Sequence, residues 1–227
     1  MAGGKSAQGT EPPKQLLELD GVPILLWTLR RLASSPRLEK IIVAVRSDDR
    51  GQIERLLAGE EYSDRIELTK GGDSRQDSVA NALDRIGDEV ELVLVHDAVR
   101  PFVDTDQIDR VLDIAATEGA AILGLPATDT IKQVDPAGGG RASRITATLP
   151  RERIVMAQTP QAFRTAVLRE AYAKAAEEGF HGSDEAMLVE HAGHEVAVVL
   201  GSPRNIKITR PADIEMARHL LHTGEES

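Results

Sequence analysis

The sequence contains no cysteine, so it offers neither a disulfide framework nor a thiolate metal site. Aromatic residues make up only 3% of its 227 residues, which leaves aliphatic side chains to build the core. No apolar run approaches the ~20 residues needed to span a bilayer. No basic segment followed by an apolar stretch marks a signal peptide. We therefore expect a cytoplasmic protein with no membrane partner.

Positive charge is also scarce, because 27 Lys and Arg face 37 Asp and Glu and leave a net charge of −10. Nucleic-acid binders usually carry a basic field, so we expect no nucleic-acid partner. Such a protein can still bind small anions if it gathers its few cations in one cleft. Signatures of several other catalytic classes are absent: there is no Walker A, Gly-x-Ser-x-Gly or HExxH motif, and no complete GxGxxG.

Patterns of helix and strand alternate along the first half of the chain. Residues 40–45 (KIIVAV) and 91–95 (ELVLV) are continuous apolar strands, typical of a parallel sheet that is buried on both faces. Residues 23–34 and 104–118 have the spacing of helices. This alternation with short loops predicts one α/β domain over residues 1–227, built on a doubly wound, mostly parallel sheet.

The pattern changes at about residues 130–155. Two β-rich stretches, TIKQV and ASRITATL, flank the sequence DPAGGG, and glycines between two strands predict a hairpin. The hairpin has little apolar area to bury on its own chain, so we expect a projecting arm. A further short strand is predicted at residues 205–208.

Polar residues recur where the predicted strands end, which is where open α/β sheets bind ligands. Asp97 follows one strand, Gly71-Gly72 follows another, and Lys14 and Lys207 lie near the two ends of the chain. Each has a simpler interpretation as well. Gly71-Gly72 can be a plain turn, Asp97 a helix cap, and both lysines solvated surface residues.

Seven motifs together carry a resemblance to a known family. In chain order they are AGGKS…PPKQ (2–15), GGDSRQDSV (71–79), VHDAVRPFV (95–103), TDTIK (128–132), the segment from Arg151 through AQTPQAF (157–163), SDEA (183–186) and NIKITRPAD (205–213). They resemble the 2-C-methyl-D-erythritol 4-phosphate cytidylyltransferases of non-mevalonate isoprenoid biosynthesis. The resemblance covers nearly the whole chain, and VHDAVRP combined with NIKITRP is its specific part.

The resemblance implies a Rossmann-like nucleotidyltransferase with a β-arm used for dimerisation. Its expected reaction joins CTP and 2-C-methyl-D-erythritol 4-phosphate, with Mg²⁺, to give 4-diphosphocytidyl-2-C-methyl-D-erythritol and pyrophosphate. The expected homodimer places each arm in the partner's active site. A phosphate monoester is largely dianionic at pH 7 and needs no general base to act as a nucleophile. Lys, Arg and Mg²⁺ therefore suit this reaction better than a Ser-His-Asp triad.

The resemblance also implies roles for individual residues. Lys14 and Lys207 are expected to be catalytic through contacts with phosphates, and Asp97 is expected to hold Mg²⁺. The implied nucleotide-binding residues are Ala2, Gly3, Gly4, Lys14, Gly72, Asp73, Arg75, Ser78 and Asp97. The implied substrate-binding residues are Asp97, Arg100, Thr130, Arg151, Thr159 and Ser183, with Thr130 and Arg151 reaching the neighbouring subunit.

The N-terminus departs from the family pattern in two ways. The family has an apolar strand before the glycine loop, whereas this chain starts at Met1 directly at the loop. We expect a start codon assigned too late, and a natural N-terminus at Met1 would contradict this. Ala7 stands where an ungapped count back from Lys14 places a family arginine. We therefore expect reduced activity, and an Ala7→Arg variant with unchanged turnover would contradict that expectation.

Two other functions remain open from the sequence. A ribitol 5-phosphate cytidylyltransferase would share the fold, the chemistry and most motifs. A catalytically weakened CTP-binding homologue would explain Ala7 but not the retention of the cationic residues downstream. A molybdenum-cofactor nucleotidyltransferase shares the AGG loop but does not account for VHDAVRP or NIKITRP.

Overall fold

The computed structural model describes residues 13–135 and 143–223. Its strands are β1 (Glu18–Leu19), β2 (Val22–Pro23), β3 (Ile41–Val45), β4 (Ile66–Lys70), β5 (Leu92–Val95), β6 (Ala120–Pro126), β7 (Ile131–Asp135), β8 (Arg144–Leu149), β9 (Val155–Arg164) and β10 (Ala197–Leu200). Its α-helices are α1 (Ile24–Ala33), α2 (Ser47–Leu57), α3 (Arg75–Leu83), α4 (Thr105–Glu118), α5 (Thr165–Glu178), α6 (Glu185–Ala192) and α7 (Pro211–Thr223).

The central β-structure is mostly parallel, which confirms the predicted fold class. Strands β3 and β4 pair in parallel, and a second sheet has the order β10-β6-β9-β5. In that sheet β10 is parallel to β6, whereas β9 is antiparallel to both of its neighbours, so β9 is the one reversed strand of the four. One aliphatic core spans both sheets, since Val43 of β3 and Leu123 of β6 belong to the same buried cluster.

Strand β9 is an element that the sequence pattern did not predict. It contains Pro160, which cannot donate a hydrogen bond to a sheet and argues against a central strand. The structure accommodates Pro160 in a register shift: Ile122 pairs with Gln161 and Leu123 with Gln158, so Thr159 and Pro160 have no partner on β6. This bulge leaves the Thr159 side chain free to point toward the end of β5.

Helices α3 and α4 each begin at a capping side chain. Ser74 accepts a hydrogen bond from the Asp77 backbone N–H, and the Asp77 side chain accepts one from the Ser74 backbone in return. Asp104 and Gln107 form the same reciprocal pair at the start of α4. Because these caps satisfy backbone donors that would otherwise be free, the loops before both helices have defined ends.

The predicted arm is a hairpin in which β7 and β8 pair antiparallel. Most of its described residues are exposed, including the apolar side chains Val134 and Ile145. Residues 136–142, which contain the predicted glycine turn, lie outside the described part of the chain. None of the helices in residues 13–135 and 143–223 is long and apolar enough to cross a membrane.

The prediction of a short strand at residues 205–208 is wrong. This segment is a loop that pairs with no strand in the described residues, although a backbone hydrogen bond of 2.9 Å joins the Ile208 N–H to the Val99 carbonyl. The alternation of Ile206, Lys207 and Ile208 arises because the loop buries Ile208 and leaves Lys207 more accessible.

Candidate active site

Asp97 lies just beyond the end of β5 and is surrounded by three cations. Lys207 Nζ is 2.9 Å from Asp97 Oδ2, and Arg100 Nε is 3.4 Å from the same oxygen. Arg75 Nε is 3.4 Å from the other oxygen, Oδ1. These residues come from three separate parts of the chain, and the fold brings them together at the end of a strand, where open α/β sheets bind ligands.

The cations control the protonation of Asp97. Burial by itself would raise the pKa of this carboxyl, but the nearby Lys207, Arg75 and Arg100 charges lower it to about 2. Asp97 is therefore fully ionised near neutral pH. Burial lowers the pKa of Arg100, although the adjacent carboxylate opposes that effect. Lys207 and Arg100 together outnumber the one carboxylate that they share, which favours a further anionic ligand.

A buried hydroxyl and imidazole support Asp97 from behind. The Asp97 backbone N–H donates to Thr159 Oγ1 at 3.0 Å, and this hydroxyl lies 3.1 Å from His96 Nδ1. His96 Nε2 lies 3.0 Å from the Arg100 carbonyl, which can only accept, so Nε2 carries the proton and Nδ1 accepts from Thr159. Burial lowers the pKa of His96 to about 4, which keeps the ring neutral as this chain of hydrogen bonds requires.

Asn205 connects the Arg100 side chain to the bulge in β9. Its backbone carbonyl accepts a 2.7 Å hydrogen bond from Arg100 Nη1, and its side-chain Nδ2 donates to the Thr159 carbonyl at 2.8 Å. Asn205 is fully buried. The position of Arg100 is therefore fixed by the same loop that carries Lys207.

The Lys207 loop is held on its other side by Asp213. One Asp213 oxygen accepts from the backbone N–H and the hydroxyl of Thr209, and from the backbone N–H of the next residue. These backbone hydrogen bonds lower the pKa of Asp213. Together with the hydrogen bond from the Ile208 N–H to the Val99 carbonyl, these contacts fix the backbone on both sides of Lys207 and so position its side chain near Asp97.

The Gly71-Gly72 loop is a compact turn between β4 and α3. The Gly71 N–H donates to the Val45 carbonyl at 2.7 Å, and the Gly72 N–H donates to Ser78 Oγ at 3.0 Å. Ser78 is buried, and its hydroxyl donates in turn to the Ser74 carbonyl at 2.9 Å. The Ser78 side chain therefore organises the loop from inside, whereas Asp73 is exposed at its tip.

Arg75 is anchored by a residue to which the sequence pattern gave no site role. Its Nη1 and Nη2 donate to the two Glu185 oxygens at 2.7 Å each, and Glu185 is only 1% exposed. Tyr172 also donates to Glu185, at 3.1 Å. Burial would lower the pKa of Arg75, but the charge and hydrogen bonds of Glu185, together with the Asp97 charge, outweigh burial and raise it.

The remaining predicted residues lie around this centre. Lys14 is exposed at the start of a short 3₁₀ helix, and the next residue, Gln15, lines a small cavity together with Gly72, Ser78 and Ala98. The structure thus brings the Lys14 segment beside the glycine loop and the residue that follows Asp97.

Thr130 and Arg151 lie at the base of the arm, immediately before β7 and shortly after β8. Both are exposed, and Arg151 Nη1 donates to the Thr128 carbonyl at 2.7 Å. In the described residues, no hydrogen bond or ion pair connects them to Asp97 of the same chain. Ser183 is exposed beside the first turn of α6, with its hydroxyl 3.7 Å from Met187 Sδ.

Four of the sequence predictions concern residues that the structure does not describe. Ala2, Gly3 and Gly4 of the predicted nucleotide loop, and Ala7 at the arginine position, lie within residues 1–12. The expectation about a lost arginine concerns the same segment, and the expectation about a first strand concerns residues before it.

Sequence reasoning missed the roles of His96 and Glu185. An acid directly after an N-cap is normally a solvated complement to the helix dipole, and this was the simpler interpretation of Glu185. The apolar residues that follow it on α6, Ala186, Leu188 and Val189, were the available signal, because they place the start of this helix in the core. For His96 the available signal was its position directly after a continuous apolar strand.

A doubly wound α/β sheet whose strand ends gather Asp97, two arginines and a lysine beside a glycine loop defines a nucleotidyltransferase. The family model for IspD, 2-C-methyl-D-erythritol 4-phosphate cytidylyltransferase, matches residues 1–223. The chain belongs to this family, which confirms the resemblance seen in the sequence.

Individual relatives agree with the family match. A 2-C-methyl-D-erythritol 4-phosphate cytidylyltransferase of Solibacter usitatus is 48% identical over 97% of this chain and 90% of its own length. One from Acidobacterium capsulatum is 50% identical over 92% of this chain and 87% of its own length. The crystal structure of the Thermus thermophilus enzyme is 37% identical, covers 92% of this chain and 94% of its own, and has a TM-score of 0.75. That of the Anaerococcus prevotii synthase is 28% identical, with coverage of 92% and 93% and a TM-score of 0.82.

Proposed function

We propose that this protein transfers the cytidylyl group of CTP to 2-C-methyl-D-erythritol 4-phosphate, a step of isoprenoid biosynthesis. A phosphate oxygen of the polyol forms a bond to the α-phosphorus of CTP, and the bond from that phosphorus to the oxygen that bridges it to the β-phosphate breaks. The products are 4-diphosphocytidyl-2-C-methyl-D-erythritol and pyrophosphate. The single observation that carries the proposal is the Asp97 cluster with its three cations, in a chain of this family.

The cluster suits a reaction between two anions. Arg100, fixed by Asn205, offers charge to the polyol phosphate, and the accessible Lys207 offers charge near the reacting α-phosphate. Lys14 precedes Gln15, which lines a cavity together with Gly72, and Lys14 offers charge to the triphosphate. Holding the reactants in line and neutralising the charge that develops on the phosphoryl oxygens accounts for catalysis without a general base.

Mg²⁺ fits the site as an ion that arrives with the nucleotide. The described residues contain no group of three His, Cys, Asp or Glu side chains able to hold a metal by themselves. Mg²⁺ in nucleotide sites is commonly bound through one or two carboxylates together with substrate phosphates, and Asp97 supplies one such carboxylate. The ion would neutralise phosphate charge, and it would share the Asp97 carboxylate with Lys207.

A homodimer through the arm completes the proposal. Thr130 and Arg151 share the arm base with no link to the Asp97 of their own chain in the described residues, which supports their use in a neighbouring site. The adjoining apolar residues Val155 and Met156 are 43% and 49% exposed and would be covered by a second copy. Light scattering of the purified protein tests this, since a monomer at micromolar concentration would contradict it.

Pyrophosphate release provides the test of the reaction. With Mg²⁺, CTP and 2-C-methyl-D-erythritol 4-phosphate, we expect stoichiometric pyrophosphate and a cytidine diphosphate product identified by mass spectrometry. ATP, GTP and UTP in place of CTP, and ribitol 5-phosphate in place of the polyol phosphate, serve as matched controls. Preference for ribitol 5-phosphate would contradict the substrate assignment, and CTP binding without pyrophosphate release would indicate a weakened homologue.

A further inference from the structure

Arg75 contacts two carboxylates with different N–H groups. Its two terminal nitrogens form a bidentate pair with Glu185 at 2.7 Å each, whereas Nε lies 3.4 Å from Asp97 Oδ1. A bidentate pair fixes the plane of the guanidinium as well as its position. With both terminal nitrogens committed to Glu185, only the Nε edge of Arg75 faces Asp97.

Glu185 is itself rigidly placed. It is 1% exposed, and one of its oxygens also accepts a hydrogen bond from Tyr172, which is largely buried on α5. Gln76, the residue after Arg75, adds a second connection to the segment that leads into α6: its amide donates to the Phe180 carbonyl and accepts from the Gly182 N–H, at 3.2 Å each. The start of α3 and the start of α6 therefore form one unit.

We infer that Glu185 is a positioning residue, which acts through Arg75 to hold the Asp97 carboxylate and to join the nucleotide loop to the helix that follows Ser183. Without Glu185, the guanidinium can rotate and offer two N–H groups to Asp97. Arg75 then competes with Lys207 for this carboxylate and shifts it from its position in the cluster. The inference rests on the proposed function, and it adds a residue that touches neither substrate directly.

A double-mutant cycle of Glu185→Gln and Arg75→Met tests the inference. At saturating CTP and polyol phosphate, we expect Glu185→Gln to lower kcat by about 10- to 100-fold, the usual effect of losing a partner that orients a functional group. In the Arg75→Met background the same substitution should change kcat by less than about twofold, because Arg75 is the route by which Glu185 acts. Equal losses in both backgrounds would overturn the inference.

Calorimetric titration with CTP separates a positioning effect from damage to the fold. Each variant should bind close to one CTP per chain, which shows that the lowered kcat belongs to folded sites. The paired variant Glu185→Leu/Arg75→Met removes both charges and roughly keeps the volume, so it should fold even if Glu185→Gln leaves Arg75 unpaired and unstable. Arg75→Met should itself lower kcat, because it removes the contact between Arg75 and Asp97, and the paired variant should match it. A wild-type kcat in the paired variant would also overturn the inference.

Two further variants complete the design. Glu190→Gln changes an exposed acid on the same helix and should leave kcat unchanged. Tyr172→Phe removes one hydrogen bond to Glu185 and should lower kcat less than Glu185→Gln does. If the wild-type protein binds CTP but releases no pyrophosphate, the proposed function fails. The cycle is then evaluated on the CTP dissociation constant, where an effect of Glu185→Gln that persists in Arg75→Met would contradict the positioning role.

Discussion

The backbone N–H of Asp97 donates a 3.0 Å hydrogen bond to the hydroxyl of Thr159, which lies on a different strand and 62 positions along the chain. This hydroxyl also donates a hydrogen bond to Nδ1 of His96, and Thr159 is only 4% exposed. Thr159 therefore fixes the backbone from which the Asp97 side chain extends, and the bulge in β9 is what brings it there.

Replacing Thr159 should harm stability and activity together. Thr159→Val keeps the shape but leaves the Asp97 N–H without its buried acceptor, so the free energy of unfolding should fall by about 1–3 kcal/mol. Turnover should fall as well, because the backbone that carries the Asp97 carboxylate is no longer held in place by this hydrogen bond. Thr159→Ser retains the hydroxyl and is the matched control in urea unfolding and pyrophosphate assays. Unchanged unfolding with Thr159→Val would show that this hydrogen bond does not stabilise the fold.

Acidification should destabilise the protein through His96. Its pKa is lowered by burial to about 4 from an ordinary value of 6.5, with the Arg100 charge reinforcing and Asp97 opposing this change. The unfolded chain then takes up a proton that the folded chain refuses, so stability is lost as pH falls from about 6.5 to 4. The two pKa values correspond to about 3 kcal/mol of unfolding free energy.

The measurement is urea unfolding of wild type and His96→Gln across that pH range. Glutamine does not titrate, so the difference in stability between the two proteins should shrink on acidification. Asp97 contributes in a lower window: its pKa of about 2 lies below its ordinary 3.8, and its stabilisation is lost only as pH falls from 3.8 toward 2. A pH-independent difference between wild type and His96→Gln would contradict a neutral, buried His96.

Removing the Lys207 charge should affect the reaction more than the fold. Lys207→Met deletes an accessible cation near the reacting phosphates, and loss of one such charge contact typically costs about 10²- to 10³-fold in kcat. Lys40 is the matched control, because it also pairs with an acid but precedes β3 at the opposite end of the sheet. If Lys40→Met and Lys207→Met reduce pyrophosphate release equally, the contribution of Lys207 is general charge and not its place beside Asp97.

An added methyl group at Gly72 should weaken CTP binding. A Cβ at this position would overlap the side chain and backbone of Asp77, so Gly72→Ala must displace the start of α3 and break the bond to Ser78. Overpacking of this kind typically costs about 1–3 kcal/mol. Gly59→Ala is the control, since a Cβ there meets nothing within 4 Å. Equal CTP affinities for the two variants by calorimetry would contradict the assignment of this loop to the nucleotide.

The sequence predicted the parts of this site that depend on one strand and its end. Asp97 and Arg100 follow a continuous apolar strand, and strand ends meet at one edge of a doubly wound sheet, so their place at this edge was predictable. Lys207 and Arg75 required the family resemblance, because their spacing along the chain does not show that both reach Asp97.

The contacts that could not be predicted from the sequence join residues that are far apart in the chain and belong to no recognisable motif of their own. Glu185 meets Arg75 across 110 positions, and the local pattern around Glu185 is that of any helix start. Strand β9 was not predicted because it contains Pro160. The register shift that accommodates this proline depends on the pairing with the neighbouring strand β6 and not on the sequence of β9 alone. Which residues contact each other in these cases is decided by how the sheet and its helices assemble.

Asp97 carries the central claim, since the three cations of the cluster face it, and Asp97→Asn tests that claim most directly. The measurement is the initial rate of pyrophosphate release from CTP and 2-C-methyl-D-erythritol 4-phosphate, for wild type and for Asp97→Asn at matched circular dichroism. We predict measurable turnover in wild type and a loss of at least about 100-fold in the variant. A wild-type rate in Asp97→Asn would contradict the assignment of this cluster as the active site.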